Sequence, residues 1–265
     1  MKKLIVIILF MTLFSACSNA PKQNSLTFVT FDEEMSLGKQ MVIENARRFK
    51  LIRNMKINDF VNRLAKEIGH VSEWDGLTYT VYVINEPDVC HFSLPGGHVY
   101  LFRGILDQAE NTAQVAGIIA HEIAHIAHRH GVDRLSQKYA YALAAQSVVG
   151  ENPEIASHLI RNLYTEATIL DYPKEYESLA DKKAIQYCWK ANYDPAEYGR
   201  FIRKCYLLEA EQPENFRLLL YTHPPTRERY QLIRKELKNV PEKQSLETGL
   251  NEFKEIKSLV YQIPY

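Results

Sequence analysis

The residues best suited to chemistry in this chain of 265 are His121, Glu122 and His125, in the run His121-Glu122-Ile123-Ala124-His125. The run has the pattern H-E-x-x-H and sits in an apolar stretch from Val115 to Ile126. On a helix, residues four apart share a face, so the two imidazoles would lie side by side. Two neutral imidazoles at that spacing suit Zn²⁺, and Glu122 is placed to take a proton from a water that the metal activates. The pattern also occurs by chance in unrelated helices, so the other parts of a zinc hydrolase must be sought elsewhere in the chain.

A catalytic zinc keeps three protein ligands and one open position. A third histidine six residues beyond His125 is excluded, because that residue is Gly131. His128 lies on roughly the face of His121, but three donors along one straight helix converge poorly on one ion, so it is expected beside the site or on the surface. A glutamate from a later helix is the better donor, and Glu166, Glu175 and Glu177 are the candidates. Glu177 is distinguished by Asp181 four residues on. An aspartate there can accept the free N–H of a zinc histidine and hold its tautomer.

The elements that must position these groups are mainly helical. A helix is expected from Glu34 to Arg53, and residues 56 to 69 form a clear amphipathic helix with Ile57, Phe60, Val61, Leu64, Ala65 and Ile68 on one face. Leu77 to Ile84 reads as a strand, Phe92 to Leu94 as a short one, and Val99 to Phe102 as another, with Pro95-Gly96-Gly97 as a turn. These make a small antiparallel sheet packed on helices. Asn111, with Gln114 three residues on, caps the motif helix, and Gly131 ends it. Further helices are expected at 133–149, 153–164, 175–191, 195–211 and 226–239, with 165–173 as a loop that could cover a cleft. The fold class is α+β, predominantly α.

Lys and Arg together number 32, as do Asp and Glu, which gives no basis for a nucleic-acid partner or an anionic surface. Residues 1–16 read as a secretory leader, with Lys2 and Lys3 ahead of the apolar stretch Leu4 to Phe14. Cys17 after Ser15-Ala16 resembles a lipobox, which implies cleavage before Cys17 and its acylation. Ser18, where an aspartate would retain a lipoprotein in the inner membrane, points to an outer-membrane anchor facing the periplasm. Residues 17–33 would then be a tether, 34–239 the catalytic domain and 240–265 a charged, weakly patterned tail. In an oxidising envelope Cys188 and Cys205, both in expected helices, could pair.

The motifs taken together resemble the M48 family of zinc metallopeptidases. Phe92-Ser93-Leu94-Pro95-Gly96-Gly97-His98-Val99 resembles the family's F-A-L-P-G-G-x-V, and Gly104-Ile105-Leu106 its G-L-L. His121 to His125 followed by Arg129-His130 resembles H-E-x-x-H-x-x-x-R-H, and Tyr172 to Asp181 resembles Y-S-R-x-x-E-x-x-A-D. Glu34 with Leu37-Gly38, Asn192 to Pro195, and Thr222-His223-Pro224-Pro225 through Arg229 complete the likeness. Cys90-His91 departs from it, standing where the family often has Asn-Ala, and raises the prospect of a thiol near the metal.

The resemblance implies a zincin-like fold with one Zn²⁺ per chain, held by His121, His125 and Glu177. It implies Asp181 as the partner of a ligand histidine, Glu122 as the general base, His223 as a displaceable fourth ligand or a donor to the tetrahedral intermediate, and Arg229 in the same neighbourhood. Substrate is expected to add as a strand at a sheet edge, with Val99 to Phe102 just ahead of the motif helix. The function implied is an endopeptidase of the cell envelope acting on unfolded or misassembled proteins. The alternative is an outer-membrane assembly factor or chaperone, working with the assembly machinery, whose zinc site His223 keeps latent.

Overall fold

The computed structural model describes residues 29–137, 172–209, 211, 223, 224 and 226–265. The expected leader, Cys17, most of the tether, the part beyond residue 137 of the helix expected at 133–149, the helix expected at 153–164, Glu166 and the segment 165–171 lie outside these residues. Helix α1 (Phe31–Arg48) opens on a capping box between Thr30 and Glu33. Helix α2 (Met55–Gly69) buries the expected stripe from Ile57 to Ile68. Strands β1 (Thr80–Ile84), β2 (His91–Leu94) and β3 (His98–Phe102) follow, then a short α3 (Arg103–Gln108) and the motif helix α4 (Thr112–Ala127). After α4 come α5 (Lys174–Lys190), α6 (Pro195–Glu209), α7 (Arg227–Leu237) and α8 (Leu250–Tyr261). The fold is α+β and predominantly helical, as expected. Among the described residues no helix is long and apolar enough to cross a membrane.

The sheet is mixed, not antiparallel, with order β1-β3-β2. β2 runs antiparallel to β3, but β1 runs parallel to it. The hairpin between β2 and β3 closes through Gly96 and Gly97, whose φ angles of 81° and 93° lie where glycine is favoured. The stretch between β1 and β2 then has to cross the top of β3. Strands two apart are separated by roughly 10 Å, within reach of a few residues. The crossing presses on the start of α3, where a Cβ on Gly104 would lie 2.3 Å from the carbonyl oxygens of Pro87 and Asp88. One consequence concerns substrate entry: β3 is central, so the sheet edges lie on β1 and β2 and not on Val99 to Phe102.

α4 runs through the middle of the molecule, buried along its whole length against α2, α5, α6 and β2. Its cap is Asn111, whose side chain accepts from the N–H of Gln114; the Gln114 side chain accepts from Glu110 N–H at 2.9 Å instead of closing the box on Asn111. It stops at Ala127, a turn before Gly131. Arg129 takes a left-handed φ of 57° there, held by hydrogen bonds of 2.8 Å to Glu34 Oε2 and to the Val29 carbonyl. A new helical segment begins at residue 130.

Two further expectations are corrected. Residues 240–265 are not all tail: α8 buries Phe253, Ile256 and Val260, and the Phe253 ring lies 6.2 Å from that of Phe60. The positions i, i+3 and i+7 are a helical stripe that the surrounding charges mask. Cys188 and Cys205 are buried free thiols and are not bonded to each other. Cys90 is packed with Met41, Ile84, Phe92, Leu94, Tyr100 and Phe102, in a cluster separate from the one that holds α4.

α4 and α6 touch most closely at Gly117, one turn ahead of His121. A Cβ there would lie 2.6 Å from Cβ of Tyr198. Gly117→Ala should therefore cost about 1–3 kcal/mol by overpacking, read as a lower urea midpoint. A midpoint equal to or above that of the parent protein would contradict this packing.

Candidate metal centre

α4 places His121, Glu122 and His125 with no exposed surface. Glu177 arrives from the first turn of α5, where a helix N-terminus favours a carboxylate, and Asp181 from one turn further. His223 comes from the segment before α7, and Arg229 from its first turn, beside the Thr226 cap. The structure thus brings together every site residue expected within the described region. His125 Nε2 lies 3.0 Å from His121 Nε2 and 3.3 Å from Glu177 Oε1. His121 Nε2 lies 3.6 Å from Glu177 Oε2 and 3.4 Å from His223 Nδ1. His223 Nδ1 is 2.7 Å from Glu177 Oε1. Glu175 is exposed, and His128 sits at the end of α4 with Nε2 3.6 Å from Glu73 Oε2, away from this group.

These spacings fit a tetrahedral ion. Bonds of about 2.0–2.2 Å set four donors about 3.3–3.5 Å apart, close to most of the separations found. The donor atoms of His121, His125, Glu177 and His223 all lie within 4.8 Å of one another. Among the described residues Glu122 Oε2, Glu177 Oε2 and His223 Nε2 are buried without a hydrogen-bond partner. Buried polar atoms are rarely left so unless something else satisfies them. The residues present therefore fit a zinc-like cation, with three nitrogens and a carboxylate as donors.

Each histidine of α4 is braced on its other nitrogen. Nδ1 of His121 lies 3.0 Å from Asp181 Oδ1 and 3.1 Å from the Tyr198 hydroxyl. That hydroxyl donates to Asp181 at 2.5 Å. Nδ1 of His125 lies 2.9 Å from Nδ1 of His130. Asp181 also receives Arg229 Nε at 2.8 Å and Nη2 at 2.7 Å, while Arg229 Nη1 donates to the His223 carbonyl at 3.0 Å. Such partners fix the ring and the tautomer that a ligand histidine needs.

The protonation states suit a cation. Burial, and then the Arg229 guanidinium, holds His121 down to about 3, so its ring is neutral with a lone pair to give. Burial likewise holds His130 down to about 2, which leaves its Nδ1 able to accept from His125. Burial alone would raise Glu177 and Asp181. His223 and Arg229 more than offset this for Glu177, which falls well below the usual carboxylate range, and Arg229 brings Asp181 to about 2. Burial would also raise Glu122, but His223 and His91 hold it below the usual range. Three buried carboxylates thus share the site with one guanidinium and with His223, which Glu177 and Glu122 raise; a divalent cation would replace the proton on His223 and balance the negative charge.

Besides His130, which braces His125, three groups in the site had not been assigned from the sequence. His91, the departure in the strand motif, reaches Glu122 with Nδ1 2.6 Å from Oε1. Strand alternation carries that signal, since His91 and Ser93 share the face opposite Phe92 and Leu94. Tyr172, inside a matched motif, stacks on His125 with ring centroids 4.0 Å apart. Tyr198 carries no pattern in the sequence that marks it.

Comparison with known proteins agrees with this geometry. Residues 51–237 match Peptidase family M48. The mitochondrial metalloendopeptidase OMA1 of Schizosaccharomyces pombe is 28% identical over 191 residues, covering 70% of this chain and 53% of the relative. OMA1 of Arabidopsis thaliana is 27% identical over 162 residues, covering 61% and 32%. The beta-barrel assembly-enhancing protease of Escherichia coli K12 is 22% identical over 205 residues, covering 74% and 42%. The chain spans about half the length, or less, of the curated relatives it matches.

Two outcomes follow. Asp181→Ala removes the carboxylate behind His121 and should weaken zinc binding by about 10–100-fold, read by competition with a chromophoric chelator; unchanged affinity would contradict the bracing role. In metal-free protein His121, His130 and His91 are all held below their unfolded value of about 6.5. The unfolded chain then takes up protons that the folded one does not, so stability is lost as pH falls below about 6.5. His223 is raised by Glu177 and Glu122 against the effect of burial, and offsets one of the three. Chelated protein should melt at a lower temperature at pH 5 than at pH 7.5, and the reverse order would contradict these shifts.

Proposed function

The chain belongs to peptidase family M48, a family of metal-dependent peptidases, and on that premise we propose that it is a zinc endopeptidase of the bacterial cell envelope. Its substrates would be unfolded or misassembled envelope proteins. The observation that carries the reading is the position of Glu122. Its carboxylate adjoins the fourth donor of the cluster, with Oε1 3.4 Å from His223 Nε2 and Oε2 without a hydrogen-bond partner among the described residues.

In this reading His121, His125 and Glu177 hold Zn²⁺. Bound there, the ion would lower the pKa of a water toward neutrality and polarise a peptide carbonyl. Glu122 takes the proton of the attacking water and passes it to the leaving amine nitrogen. Against the effect of burial, His223 and His91 hold it below the usual carboxylate range, so it is ionised at neutral pH. His91 donates to Oε1 of Glu122 and fixes its orientation. Asp181, held by Arg229, keeps His121 in place. The edge strand β2 runs beside the site, and an extended peptide pairing with it would be bound through its backbone, with little demand on sequence. Loose specificity of that kind suits clearance of damaged proteins. The leader pattern and Cys17 support a lipid anchor, and Ser18 supports the outer membrane, facing the periplasm. The name of the Escherichia coli relative, a beta-barrel assembly-enhancing protease, supports a link to outer-membrane assembly machinery.

A second reading draws on the closure of the site. All of β2 is buried, Tyr172 covers His125, and His223 offers a fourth donor. The protein would then be an assembly factor or chaperone with a latent centre, opened only on cue. Casein cleavage by His223→Ala that the wild-type protein lacks would favour this second reading.

Glu122→Gln keeps the shape of the side chain and removes its basicity. It should retain zinc and lose about 100-fold or more of casein cleavage. Cleavage at the wild-type rate would contradict the assignment of the base.

A further inference from the structure

His91 is not needed to complete the donor set of His121, His125, Glu177 and His223, yet it is buried beside it with 1% of its surface exposed. Its Nδ1 lies 2.6 Å from Glu122 Oε1. His223 Nε2 approaches the same oxygen at 3.4 Å. The two imidazole rings stack with centroids 4.7 Å apart and planes 19° apart, so both present a nitrogen to one carboxylate. Donor atoms of all three residues lie within 4.8 Å of one another. Glu122 Oε2 and His223 Nε2 are buried and have no hydrogen-bond partner among the described residues. Two imidazoles and a carboxylate are a set of protein donors that Zn²⁺ accepts.

We propose that His91, Glu122 and His223 form a second metal site beside the first, and that zinc bound there inhibits the peptidase. His223 can serve it without leaving the first site unsupported. With Nε2 given to the second ion, Nδ1 keeps its proton and donates to Glu177 Oε1 at 2.7 Å. Glu122 has no such freedom. A carboxylate coordinated to an ion no longer has the basicity to take a proton, so the base is withdrawn when the second site fills. Two divalent ions in adjoining sites that share His223 repel each other. The first therefore loads at lower zinc, and the second fills only when free zinc rises. The result is a brake that responds to zinc supply. Inhibition rests on the reading of Glu122 as the base; the number of ions bound does not.

The test counts zinc ions and measures cleavage together, on the full chain. Protein loaded with one equivalent is dialysed against rising free Zn²⁺, and bound zinc is measured by elemental analysis beside casein cleavage. His91→Ala and His91→Asn are carried in parallel, with retention of the first equivalent as the check that each has folded. Wild-type protein is expected to take up a second equivalent and lose activity as it does. Both variants should bind one equivalent fewer, and whatever activity each has at one equivalent should not fall further with excess zinc. A second equivalent retained in both variants, or never gained by the wild type, would overturn the proposal. A second equivalent that depends on His91 but leaves cleavage unchanged would uphold the site and overturn its inhibitory role, counting against Glu122 as the base.

Discussion

Arg229 is the cation around which two buried acids of the site, Asp181 and Glu177, are arranged. Its Nε and Nη2 grip both oxygens of Asp181, and Nη1 donates to the His223 carbonyl while lying 3.2 Å from Glu177 Oε2. A guanidinium can do this because its donors form a rigid planar fork and it does not lose its proton. Without that charge, burial would push Asp181 toward the neutral acid, and Glu177 would lose the second of the two cations, after His223, that oppose the same effect. With it, Asp181 is ionised behind His121 and Glu177 is ionised in front of it. One side chain thus sets the charge of a candidate ligand, the orientation of a second and the backbone position of a third. Removing one member of such a buried network leaves charges unpaired, at a cost of about 3–5 kcal/mol.

The fold serves this cluster by converging from four directions on one helix. α4 is buried on every side, and its apolar residues, spread around the whole helix, require that enclosure. Its neighbours α5, α6 and β2 each contribute a functional side chain at the point of contact: Glu177 and Asp181, Tyr198, and His91. The tight approach of Gly117 to Tyr198 keeps the phenol within reach of His121. At the far end of α4, the buried pair of Arg129 and Glu34 ties the turn after the motif to α1. That turn starts the helical segment with His130, whose ring faces His125. Packing and chemistry therefore use the same contacts.

Much of the site was legible in the residues. The spacing of His121 and His125 and the pairing of Glu177 with Asp181 are both four-residue intervals, and helix geometry turns those directly into shared faces. His223 and Arg229 were legible only through family resemblance, because a histidine before prolines has no period to mark it. Tyr198 acts across 77 residues of chain through a tertiary contact that local pattern does not encode. His91 stood out as an unusual residue, but its direction depended on which sheet face meets α4. The parallel pairing of β1 with β3 was hidden because the crossing between β1 and β2 is as short as a hairpin loop. The stripe of α8 was present in Phe253, Ile256 and Val260 but diluted by the charges around it.

The central claim is that His121, His125 and Glu177 together hold one catalytic ion. Anomalous diffraction at the zinc edge, from crystals of the full chain loaded with one equivalent, tests it most directly. One strong peak is expected about 2.0–2.2 Å from Nε2 of both histidines and from a Glu177 oxygen, with Asp181 and Arg229 outside bonding distance. A peak lacking any one of these three ligands, or bound instead through a cysteine sulfur, would contradict it.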